Sequence, residues 1–183
     1  MLAQTTVKGR IGEFRTKKAH RLFLDSERYH IFNNIFFNIG SRPTQIDHII
    51  VSIYGIFVIE TKYKNGWIFG SPDDKQWTLA LRNKKIKFQN PLQQNRFHTK
   101  IVSKFLRIEH NKIFSVVVFW GNCHLMTDMP ENVSYGNYTD YITSKNQLLL
   151  SENEVKSICN KLLVHQCNTP FLAGWRYANS FKE

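Results

Sequence analysis

Asp47, Glu60 and Lys62 are the residues of this chain whose types and spacing could do chemistry. Two nearly continuous apolar runs, Gln45 to Val51 and Ile56 to Lys62, read as strands joined by Ser52-Ile53-Tyr54-Gly55. A hairpin centred between Ile53 and Tyr54 sets Asp47 directly opposite Glu60, with β-carbons about 5 Å apart on one face. Lys62 lies two residues beyond Glu60 and so points to that face as well. A slip of one residue would put the two carboxylates on opposite faces. The rest of the face is Ile49, Val51, Ile56 and Val58. An acid pair and a lysine therefore sit at one end of an apolar surface. Carboxylates that close repel each other and call for a cation, and hard oxygen ligands with room for water suit Mg²⁺ or Mn²⁺. The bland alternative is a pair of strand-end charges reaching solvent beside a basic residue. The E-x-K triplet alone decides nothing, because Glu154-Val155-Lys156 repeats it on a predicted helix.

The elements that must position these residues follow from pattern. A helix is expected from about Gly9 to Glu27, and a strand from Tyr29 to Asn38. The Gln45–Lys62 hairpin lacks polar alternation, as a sheet covered on both faces would. From Tyr63 to Gln89, Asn65-Gly66 is a turn signal. Trp67–Phe69, Trp77–Leu81 and Ile86–Phe88 are short strands expected at the edge of that sheet. Asn90-Pro91 opens a helix, with asparagine as cap and proline at the first position. Phe97, Ile101, Phe105 and Ile108 form its apolar stripe. Ile113 to Gly121 is a central strand. Asp140 to Leu150 reads as a helix, and Ser151-Glu152-Asn153-Glu154 is a capping box opening another through about His165.

The totals bound the partners. The chain has 183 residues and 42% hydrophobic composition, enough for one globular domain. Against 14 acidic residues stand 25 Lys and Arg, a formal net charge of +11. That field favours polyanions, nucleic acid first, then an acidic membrane surface or an acidic protein. Basic residues gather at Lys17 and Lys18 in the first helix, at Lys64, and at Lys84 and Lys85 in the predicted hairpin, where they could meet phosphates. Trp67 and Trp77 either stack on bases or pack inside the insertion. The three cysteines, Cys123, Cys159 and Cys167, show no disulfide framework or zinc spacing. No stretch approaches the ~20 apolar residues of a membrane span, and the N-terminus lacks a signal-peptide core. A cytoplasmic protein is expected.

Four motifs in order resemble the NERD (nuclease-related) domain, a branch of the PD-(D/E)XK nuclease superfamily. They are Gly9-Arg10-Ile11-Gly12-Glu13, Gln45-Ile46-Asp47-His48, Gly55 through Lys62, and Asn90-Pro91-Leu92-Gln93-Gln94-Asn95. The resemblance covers about residues 9 to 120. It implies a single α/β domain over 1–183, with a restriction-endonuclease-like αβββαβ core, a mixed sheet flanked by helices, a strand-rich insertion, and a β/α extension from about 121. It also implies divalent-metal-dependent phosphodiester hydrolysis, of DNA before RNA. Asp47 and Glu60 would ligate the metal, with the carbonyl of Thr61 as a third ligand. Lys62 would position or help deprotonate the attacking water, or stabilise charge growing on the phosphate. Glu13 would assist from the first helix, and Gln94 would position water or phosphate. Gln94 reads equally as a first-turn glutamine in solvent. The superfamily's Pro-Asp is here Ile46-Asp47. Two alternatives stand beside the nuclease: a nucleic-acid-binding module without turnover, and a regulatory domain that meets an acidic protein.

Overall fold

A computed structural model describes residues 11–12, 14–16, 18–19, 24–39 and 42–168. Those of 11–19 that are described are helical. Three antiparallel strands follow: β1 (His30–Ile39), β2 (Arg42–Ser52) and β3 (Gly55–Tyr63). Next come β4 (Gly66–Phe69), β5 (Gln76–Leu81) and β6 (Lys84–Gln89), then α1 (Pro91–Leu106) and β7 (Ile113–Trp120). The short strands β8 (Cys123–Leu125) and β9 (Val133–Tyr135) lead to α2 (Tyr138–Ser144) and α3 (Glu152–Cys167). The main sheet runs β1-β2-β3-β7-β9. Its β1–β2–β3 pairs are antiparallel and its β3–β7 and β7–β9 pairs parallel.

Both faces of this sheet are covered, which is why β3 and β7 are apolar without alternation. On one face Ile49, Val51, Ile56 and Val58 pack with Val102 and Leu106 of α1 and with Val155, Ile158 and Leu162 of α3. On the other, Ile50, Phe57, Ile59, Val116 and Val118 meet Ala19 and α2's Tyr138 and Ile142. Val58 and Ile59 are adjacent, point opposite ways and are both fully buried. Each such side chain contributes about 1.5–3 kcal/mol by leaving water.

The β2–β3 register is the one expected, with Val51 opposite Ile56 and His48 opposite Ile59. Ile53 and Tyr54 form the turn. Gly55 closes it at φ +126°, and a Cβ there would come within 2.8 Å of the Phe114 ring and 2.9 Å of the Lys112 carbonyl. The alternation is not perfect further out. Asn34, in β1 opposite Asp47, sits at φ 55°. Phe32 and Ile35 in β1, and Ile46 and Ile49 in β2, consequently reach the same core. Both strands turn over at the Asn34–Asp47 step.

The insertion departs from expectation. Its strands do not extend the main sheet but form a second one, in the order β6-β5-β4-β8. The reason is that β3 already has β2 on one side and β7 on the other, so it offers no edge. Instead β4 pairs in parallel with β8. Ile68, Trp77 and Leu79 pack against Leu92, Val117 and Phe119, with the Trp77 ring stacked 6.0 Å from that of Phe119.

The stripe assigned to α1 is corrected too. The buried residues are Pro91, Leu92, Asn95, His98, Thr99, Val102 and Leu106, whereas Phe97 is 50% exposed. Ile101, Phe105 and Ile108 are partly buried against the core, and Ile108 lies beyond the helix, which ends at left-handed Arg107. The N-terminal half of the inward face is polar because it meets the polar end of the sheet. The helix expected over Asp140–Leu150 stops at Ser144, because the amides of Leu149 and Leu150 donate to the Ile53 carbonyl instead. The capping box at Ser151 and Glu154 forms as expected. Strands β8 and β9, three residues each, were too short to leave a pattern.

Candidate active site

The site lies where β2 and β3 part. The ladder's last pair is His48–Ile59, and one step on, Asp47 faces Glu60 across strands that no longer share main-chain bonds. There the Asp47 side chain takes over, its Oδ2 accepting the Thr61 N–H at 2.9 Å. The carboxylate stands in for the main-chain oxygen that the diverging strand withdraws. This bond holds Asp47 beside the Thr61 peptide.

Glu60 is almost wholly buried, at 3% exposure. Its Oε1 accepts from Lys62 Nζ at 2.6 Å. Its Oε2 lies 3.5 Å from His98 Nδ1, a contact too long and poorly aligned for a hydrogen bond. Lys62 Nζ also donates to Gln94 Oε1 at 2.9 Å. Two of the three ammonium protons are thus engaged, and the side chain retains 18% of its exposure. Burial disfavours the Lys62 ammonium, yet the Glu60 charge, the bond to it and the nearby Asp47 charge prevail, so its pKa stands above the ordinary lysine value. His98 moves the other way. Burial lowers its pKa and Lys62 adds to the effect, against the opposing pull of Glu60. His98 Nε2 pairs with Thr44 Oγ1 at 3.2 Å.

Helix α1 brings Gln94 and His98 to this end through two asparagines. Asn90 caps it, its Oδ1 accepting the Leu92 and Gln93 amides, while its Nδ2 donates to the carbonyls of Ser71, Pro72 and Asp74. Asn95, fully buried, donates to the carbonyls of Val58 and Val116 and to Ser115 Oγ. One residue fixes the helix start, the other its height over β3 and β7. From the opposite side, Gly12 approaches so closely that a Cβ on it would lie 3.1 Å from Thr61 Cγ2.

Of the expected site residues, Asp47, Glu60, Thr61, Lys62 and Gln94 come together. Glu13 and Lys17 fall outside the described residues. Lys18 is exposed on the N-terminal helical segment. Lys64 is half-buried, its Nζ 4.9 Å from the Phe88 ring centre. Burial and the neighbouring Lys62 lower its pKa. Lys84 and Lys85 are exposed but, being adjacent in β6, point to opposite faces. Among the described residues, no three His, Cys, Asp or Glu side chains gather as a metal set. Thr44 and Asn95 carried no expected role at the site. His98, one helical turn beyond Gln94, is expected from that spacing to be able to point the same way, though a lone helix histidine is more often structural. The structure sets it beside Glu60.

Comparison with known proteins bears on the family of the chain. The family model of the nuclease-related domain matches residues 8–120. An uncharacterized protein of Bacillus anthracis is 33% identical over 162 residues, covering 85% of this chain and 76% of its own length. No solved structure matches. Among the described residues, no helix is long and apolar enough to cross a membrane. The match spans the hairpin, the insertion, α1 and all of β7, and the chain belongs to the nuclease-related domain (NERD) family.

Proposed function

We propose that the protein is a divalent-metal-dependent nuclease that hydrolyses phosphodiester bonds, DNA before RNA, at the Asp47–Glu60–Lys62 cluster. One observation carries the reading. Two carboxylates converge on a single ammonium, with a histidine that burial keeps neutral, so the cluster holds more negative than positive charge. Such an excess in a largely buried place favours a bound cation.

The donor set fits Mg²⁺ or Mn²⁺. Asp47 and Glu60 supply carboxylate oxygens, Thr61 a carbonyl, and the remaining positions would be water, as hard cations of this size prefer. Bound there, the metal supplies Lewis acidity toward the phosphate and an acidified water. The chain's own residues do the rest. Thr61 N–H fixes the Asp47 carboxylate. Gln94 and Glu60 hold Lys62 by two protons, leaving the third to meet an oxygen of the scissile phosphate as its charge grows. Asn95 keeps Gln94 at the right height.

A second reading, a binding module without turnover, draws on the same contacts. Glu60 is already paired with Lys62 and Asp47 already holds an amide, so the cluster also works as a structural clasp. Cleavage of single-stranded DNA, duplex DNA and RNA with Mg²⁺, Mn²⁺ or EDTA separates the two, using wild type, Asp47→Ala and Lys62→Ala. Metal-dependent cleavage lost in both variants is expected. Metal-independent cleavage, or equal activity in the variants, overturns the mechanism. Binding without cleavage under every condition favours the clasp.

A further inference from the structure

The second sheet has two unlike faces. Ile68, Trp77, Leu79 and Phe88 turn inward against α1 and β7. The alternate residues turn outward. Trp67 and Phe69 of β4 are 54% and 39% exposed. The register sets Trp67 between His124 of β8 and Ala80 of β5, with Lys85 of β6 beyond Ala80. The next row carries Phe69, Thr78 and Lys87. Both lysines and His124 are exposed. Beside Phe69 an open groove of about 690 Å³ is lined by Gln76, Thr78, Lys87, Met126 and Thr127, and also by Asp74 and Asp128. Two large aromatic rings standing in water on one strand, with two ammonium groups two strands away, is an arrangement the core does not require.

We propose that this outer face is a platform for single-stranded nucleic acid, with bases stacking on Trp67 and Phe69 and phosphates meeting Lys85 and Lys87. The chemistry of the two rows selects the partner. Aromatic faces accept any base, and lysines on the neighbouring edge accept phosphates without regard to sequence. The net charge of +11 draws a polyanion to the surface. The spacing selects the strandedness. Rings two residues apart on a strand are about 7 Å apart, twice the ~3.4 Å rise of a stacked duplex. They fit bases that have been spread, and a duplex hides its base faces from such rings. Asp74 and Asp128, which line the same groove, repel phosphate and leave the lysine row as the place where it is met. Trp67 follows Lys62 by five residues in the chain. The inference deepens the nuclease reading by naming its substrate as single-stranded, and it rests on that reading only for the claim that what is bound is also cut.

The test reads binding alone, in EDTA, so that absence of cleavage does not affect it. Anisotropy of a labelled 12-nucleotide oligo-dT and of a 12-base-pair duplex is measured with wild type, Trp67→Ala/Phe69→Ala, Trp67→Phe and Lys85→Gln/Lys87→Gln, each checked by circular dichroism. Loss of each ring is expected to weaken single-strand binding at least about fivefold. Trp67→Phe should stay within about threefold of wild type, because it keeps a stacking surface. The lysine pair should flatten the slope of log affinity against log salt by roughly 1.4. Unchanged single-strand affinity in a folded Trp67→Ala/Phe69→Ala variant overturns the platform. Duplex binding that is as tight and falls equally overturns its single-strand character. A dimer that this variant dissociates without altering oligonucleotide binding shows the face to be a contact between copies instead. Binding that survives with all cleavage absent keeps the platform and discards only the nuclease.

Discussion

The chain contains the same triplet twice, and the two copies have opposite fates. Glu60-Thr61-Lys62 ends a buried strand, where residues two apart share a face. Lys62 Nζ reaches Glu60 Oε1 at 2.6 Å, and only 4% of the Glu60 side chain remains exposed. Glu154-Val155-Lys156 opens α3, where residues two apart do not face each other. Glu154 there turns back to accept the Ser151 amide at 2.7 Å, with half its side chain in water. Its pKa is held below the ordinary glutamate value, chiefly by that Ser151 amide. Lys112, not Lys156, lies near it, at 3.7 Å. Composition is identical in the charged positions, so strand against helix, and burial against exposure, make all the difference.

Four measurements bear on that contrast. The largest effect is expected from Glu60→Ala, which takes the paired carboxylate from the buried Lys62 and leaves only the neutral Gln94 oxygen as its acceptor. Denaturant unfolding should show a loss of about 3–5 kcal/mol, with cleavage gone, whereas Glu154→Ala leaves cleavage at the wild-type level. Equal cleavage in the two variants erases the distinction. Asp47→Asn comes next. The amide oxygen still accepts the Thr61 N–H, so stability should stay within about 1 kcal/mol while cleavage falls about 10²-fold or more. Any thermal stabilisation by Mg²⁺ or Mn²⁺ seen in wild type should vanish with it. A large stability loss here would mean that Asp47 is only a structural acceptor. Gln94→Ala removes one of two acceptors from Lys62, and steady-state cleavage should drop about tenfold, the worth of a charged hydrogen bond. Smallest is Ser151→Ala, costing about 1 kcal/mol in unfolding with no change in cleavage. Together they rank the triplets by burial.

Much of this is legible in the sequence. The register of β2 against β3 followed from a short loop with glycine at its end, and it put Asp47, Glu60 and Lys62 on one side. The capping residue Asn90 and the box at Ser151–Glu154 announced α1 and α3, because caps are local chemistry. What stayed hidden depends on long-range partners. The buried face of α1 is polar at Asn95, His98 and Thr99, so a search for apolar spacing followed Phe97 and Ile101 instead. Asn95 finds its acceptors in Val58, Ser115 and Val116, none of them near it in sequence. Trp67 and Trp77 look alike in the chain, yet one is half in water and the other fully enclosed. That separation follows from the face each takes, Trp77 turning in against Phe119 of β7 and Trp67 turning out beside His124 of β8, both partners distant in sequence.

Asn90 has a consequence that its role as a cap does not exhaust. One side chain grips α1 by its oxygen and the 71–74 turn by its nitrogen, and that turn joins β4 to β5. The outer rings of the second sheet and the Lys62 ammonium are thereby held at a set interval, as marks on a ruler. A strand lying on the rings would meet the cluster at a constant count of nucleotides. Asn90→Asp keeps the capping oxygen but loses both amide protons, loosening the ruler while leaving the helix intact. If the platform feeds the cluster, products of the wild type should be uniform in length and those of Asn90→Asp should spread.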